Sequence, residues 1–166
     1  MKNMDQMNGA PEKIKDVLER QIEEYKDLLV LLRKERQCLI DFDGSGVKDL
    51  AKQKDTAVLK LRLLEQERLR LMGDFQNLSG EKDRMSLQDL SKTTGDGAFL
   101  EIRNRMISLL QGIQELNEFN RILIERSLNF FNGSLDFLGK AAPQKQVAGH
   151  AAGGNWAQGM MVSRHI

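Results

Sequence analysis

The stretch GAFLEIRNRMISLLQGIQELNEFNRILIERSLNFFNGSLDFL, residues 97–138, decides the fold. Phe99, Ile102, Met106, Leu109, Ile113, Leu116, Asn120, Leu123, Ser127, Phe130, Ser134 and Phe137 recur at spacings of three and four. A second line runs at sevens through Leu110, Asn117, Ile124, Phe131 and Leu138. Residues three and four apart share one face of an α-helix, so the pattern predicts a single long helix with a broad apolar face. About forty helical residues span roughly 60 Å. A helix of that length needs apolar partners, and the sequence must supply them upstream.

It supplies two. From Ile14 an apolar stripe runs through Leu18, Ile22, Tyr25, Leu29 and Leu32 to Leu39, broken at Arg36, and predicts a helix over about 11–41. Pro11 suits its first turn. Asp-Gly-Ser-Gly, residues 43–46, then supplies turn chemistry. Ser45, or else Asp43, is a candidate N-cap for a second helix over about 45–75, with Leu50, Ala57, Leu61, Leu64, Leu71 and Phe75 on its face and Gly73 weakening its end. Residues 85–91 (MSLQDLS) predict a short helix docked through Leu87 and Leu90. The fold class expected is all-α: an antiparallel, coiled-coil-like bundle of three long helices plus a short middle helix. Residues 1–10 are expected to fray, 11–138 to form the helical domain, and 139–166, rich in Ala and Gly, to form a flexible tail. That tail ends in the apolar residues Trp156, Met160, Met161, Val162 and Ile166, for which a purely solvating segment has little use.

Composition narrows the function. The 166 residues carry 25 basic and 24 acidic side chains, a net charge of +1, so no bulk field draws the chain to nucleic acid or to an anionic membrane. The N-terminal MKNMDQMNGA lacks the apolar core of a secretory signal, and the apolar run at residues 28–32 is too short to span a bilayer. A cytoplasmic location is expected. Cys38 is the single cysteine and reads as a small hydrophobe. His150 and His165 lie in the tail. No nucleophile elbow, phosphate loop or metal-ligand spacing occurs, so neither an enzyme nor a cofactor is expected. DFDGSGVKDLAK, residues 41–52, imitates a calcium loop at Asp41, Asp43 and Gly46. It fails where a bidentate glutamate is needed, because Lys52 stands there. A helix-to-helix turn is the reading that remains.

Asn117 and Asn120 sit on the apolar face of the third long helix. A polar residue at a core position fixes register or partner, unless it lies at the bundle edge and meets water. Beyond them Phe130, Phe131, Leu135, Phe137 and Leu138 cluster, either as core or as a stripe that receives an amphipathic helix.

Three stretches together resemble the FlgN family of bacterial flagellar export chaperones over about residues 11–138. LRLLEQERLRLMGDF is similar to the family's Leu-Glu-x-x-Arg segment at Leu64, Glu65 and Arg68. SLQDL resembles its short middle helix. LLQGIQELNEFNRILIERSLNFF resembles its Leu-Asn-x-x-Asn-x-x-Leu-Ile segment at Leu116, Asn117, Asn120, Leu123 and Ile124. The resemblance implies a cytoplasmic chaperone of flagellar type III export. Its clients are the hook-filament junction (hook-associated) proteins, bound by their C-terminal amphipathic segments, kept from self-association and delivered to an export-gate component at the membrane. The expected partner-binding residues are Leu116, Asn117, Asn120, Leu123, Ile124, Phe130, Phe131, Leu135 and Phe137. The alternative reading is a structural coiled-coil homodimer without a client.

Overall fold

The computed structural model describes the backbone of residues 2–80 and 85–141, and the side chains of residues 9–80 and 85–137. Four helices follow one another: α1 (Lys2–Ile40), α2 (Gly44–Ser79), α3 (Leu87–Thr94) and α4 (Ala98–Ala141), with no strand among the described residues. The all-α class expected from the periodicity is therefore the class observed. The chain divides into two units, Met1–Arg126 and Ser127–Ile166, and each is taken separately. The expected tail lies outside the described residues from 142 onward.

In the first unit, the partners along the helices give their directions. From α1 to α2, Arg20 meets Glu67, Gln21 meets Glu65, Glu24 meets Lys60 and Glu35 meets Lys54. Partner numbers fall as those of α1 rise, so the two helices are antiparallel. From α1 to α4, Glu19 meets Arg105 and Leu32 meets Asn120, and the numbers rise together. The two are parallel. Arg105 thus grips Glu19 across the helices, at 2.8 and 3.0 Å.

One hydrophobic core joins all four helices. It holds Ile14, Leu18, Ile22 and Leu32 of α1, Leu64, Leu71 and Phe75 of α2, Leu87 and Leu90 of α3, and Phe99, Ile102, Met106 and Ile113 of α4. On α1 positions 14, 18, 21, 25, 28, 32 and 35, all buried, keep a strict four-three rhythm, with Val17 and Ile22 buried beside that line. The rhythm therefore runs straight through two polar residues, Gln21 and Glu35. Each meets a polar partner from α2, so the apolar coil is interrupted by two polar layers two heptads apart. Near one layer Gln21 Nε2 donates to Glu65, at 3.1 Å, and Arg68 holds Glu65 with two bonds. The other contains Glu35 and Lys54.

The ends of the helices depart from the sequence expectation in several places. The helical backbone begins at Lys2, ahead of Pro11, where fraying was expected over residues 1–10. α1 closes with Asp43 N–H donating to the Cys38 carbonyl and Phe42 in the left-handed region at φ 56°, a Schellman-type stop. Of the two cap candidates the sequence offers, Asp43 is the one that caps α2, accepting the Gly46 N–H at 2.9 Å. A Cβ on Gly46 would collide with the Asp43 carboxylate and lie 2.7 Å from Cys38 Sγ, so the cap requires glycine. α2 runs past Gly73 to Ser79, because Met72 and Phe75 on either side of that glycine are buried and hold the helix in the core. α3 starts two residues later than expected and ends three later. Ser86 and Asp89 form a capping box at its start, and Gly95, at φ 71°, stops it.

Candidate partner-binding site

The sequence points to the C-terminal half of α4, and the structure sorts its residues into three environments. Asn120, within the first unit, is 2% exposed. Its amide nitrogen donates to the Leu32 carbonyl at 2.9 Å and to Glu35 Oε2 at 2.9 Å. Lys54 Nζ reaches the other Glu35 oxygen at 2.5 Å. Asn120 thus completes the polar layer of Glu35 and Lys54, one residue from each long helix. This side chain sets the register of α4 against α1 and is not presented to solvent.

Leu116 packs against the edge of the core, and Asn117 and Leu123 are half-buried, while Ile124 is exposed. On the outer side of this stretch the Arg36 guanidinium lies 4.2 Å from the centre of the exposed Phe119 ring. Arg121 there pairs with both Glu118 and Glu125. These are surface contacts, screened by solvent, and they add little to stability.

In the second unit the aromatic residues are open. Leu128, Phe130, Phe131, Leu135 and Phe137 are each between 51 and 74% exposed. Phe130 and Phe131 meet edge to face with ring centres 6.1 Å apart. At about 100° per residue these five side chains fall on one half of the helix, while Asn129, Asn132, Gly133 and Asp136 fall on the other. Ser127 and Ser134 run down the middle of the apolar half. The Ser134 hydroxyl donates to the Phe130 carbonyl at 2.9 Å, which satisfies it locally and leaves a low strip between flanking rings. An exposed apolar half-helix with a shallow central strip is shaped to take an apolar ridge of another helix.

Reading from sequence missed Leu128, which shares this face. Its spacing to Phe131 and Leu135, three and then four, is the signal that marks it. Glu35 and Lys54 were missed as partners of Asn120, and the strict four-three rhythm of α1 is what lands on Glu35. Among the described residues no group of three or more His, Cys, Asp or Glu side chains is placed to hold a metal ion. No helix among them is long and apolar enough to cross a membrane.

A helical fold with a polar-layered core and an open aromatic face, as the described residues form, has the make-up of a protein-binding module. The FlgN family, described as FlgN protein, matches residues 4–149, and the chain belongs to that family. The family is one of flagellar export chaperones, not of enzymes. Searches of curated proteins and of solved structures give no match.

Proposed function

We propose that this chain is a cytoplasmic chaperone for the C-terminal amphipathic segments of hook-filament junction proteins. It receives them on the apolar face of residues 127–137, holds them soluble and hands them to a component of the export gate at the membrane. The observation that carries this reading is the open half-helix of Leu128, Phe130, Phe131, Leu135 and Phe137 in a chain of the FlgN family. Fully burying one such side chain stabilises a complex by about 1.5–3 kcal/mol, and these are already partly covered, so each contributes less. Ordering a flexible client segment costs about 2–5 kcal/mol in return. The balance suits binding that is firm yet reversible, as delivery requires. Leu123 and Ile124 are kept as candidate contacts in the first unit. Asn120 is left out because its amide is engaged with α1.

The test is size-exclusion chromatography with calorimetry, mixing the chain with the C-terminal segments of the junction proteins from the same cell. A discrete soluble complex of micromolar affinity or tighter is expected. The pair Phe130→Asp and Phe137→Asp should weaken it at least tenfold with helicity intact. A stable homodimer that ignores every client segment would instead establish the structural coiled-coil reading.

A further inference from the structure

The face on residues 127–137 has a candidate occupant in its own chain. Residues 142–155, APQKQVAGHAAGGN, hold small and polar side chains with Val147 as the lone branched apolar one. The next eleven residues, 156–166, carry Trp156, Met160, Met161, Val162 and Ile166. Polar, glycine-rich spacing followed by concentrated apolar residues is the composition of a tether with a ligand at its end.

We infer that residues 156–166 dock in cis on the apolar face of α4 formed by Phe130, Phe131, Leu135 and Phe137. The lengths match. The face lies about 6 to 17 Å back along the helix from Ala141 at 1.5 Å per residue. Fourteen residues following random-coil statistics have an r.m.s. span of about 20 Å. A linker whose span matches the separation gives its ligand an effective concentration on the order of millimolar. Even a contact of only millimolar affinity is then about half occupied. Methionine and tryptophan suit the task, since the thioether adapts to ring edges and the indole covers a large area with few torsions to order. The tail shields the aromatic face in a chain without a client. Where that face also receives a client, as proposed above, the client competes with the tail, and this consequence alone rests on that reading.

Trp156 is the single tryptophan, so the full chain reports on itself. Its emission, measured at low micromolar concentration, should be blue-shifted from that of the urea-unfolded chain and shielded from acrylamide. Phe130→Ser with Phe137→Ser, two exposed positions, should move it to the unfolded value while far-ultraviolet circular dichroism stays helical. Native emission equal to that in urea would overturn the inference. So would a shift that survives the substitutions, which places the indole elsewhere, or one that grows with protein concentration, which makes the occupant a second copy. None of these readouts uses a client, so their failure leaves the chaperone reading standing, and loss of client binding leaves them unaffected.

Discussion

Buried Glu35 and partly buried Lys54 are side chains of opposite charge joined at 2.5 Å, with Asn120 on the second carboxylate oxygen. The pair's net worth is small because both charges gave up water, but removing one partner strands the other. Lys54→Met is expected to destabilise the chain by about 3–5 kcal/mol, whereas Glu35→Met with Lys54→Met should cost far less. Urea unfolding of the two variants measures the difference, and equal losses would mean that Glu35 finds another partner. Phe42 shows the opposite imbalance. It occupies the left-handed region at φ 56°, where a Cβ costs about 1–2 kcal/mol, and its ring is exposed. Phe42→Gly should therefore raise stability by about 1 kcal/mol in the same assay.

At the scale of elements, α3 is framed by two carboxylates with hydrogen-bonded partners. Asp89 accepts the Ser86 hydroxyl and the Ser86 backbone N–H, and these bonds hold its carboxyl below the ordinary 3.8. Just beyond α3, Asp96 is lowered from the same value by Lys15, 2.5 Å away on α1, and by the Ala98 N–H. A carboxylate whose folded pKa is depressed stabilises the fold above its unfolded value and loses that contribution as pH falls through the folded one. Lys15 is raised by Asp96 and by Glu12, so its contribution is complete below 10.5 and lost only as pH rises through the folded value. Amide protection in α3 should thus hold at neutral pH and decline as pH falls below 3.8. Asp89→Asn with Asp96→Asn should flatten that decline; an unchanged acid profile in the variant would assign it to other groups.

At the scale of the whole molecule, stability follows burial. The core of the first unit draws on every helix, while the described side chains of residues 127–137 are mostly exposed. Amides of α4 should therefore exchange slowly over residues 99–120 and several orders of magnitude faster over residues 128–137. Hydrogen exchange read by mass spectrometry checks this, and uniform protection along α4 would show that something covers its C-terminal part tightly.

The four helices, their order, the turn at residues 41–46 and the family were legible in the sequence, because three-four periodicity, capping residues and glycines act locally. The aromatic face was legible as a stripe. Its exposure was not, since periodicity tells which residues share a face and not which of them another helix covers. Asn120 shows the same limit from the other side. The sequence placed it on the apolar face, but only the packing of three helices joined its amide to Leu32 and Glu35 and matched Glu35 with Lys54 from a third strand of the coil. Those contacts join residues 19 to 88 positions apart, and no local signal carries them. Local chemistry determined the elements; the tertiary structure decided which polar groups lock them together and which apolar ones remain open.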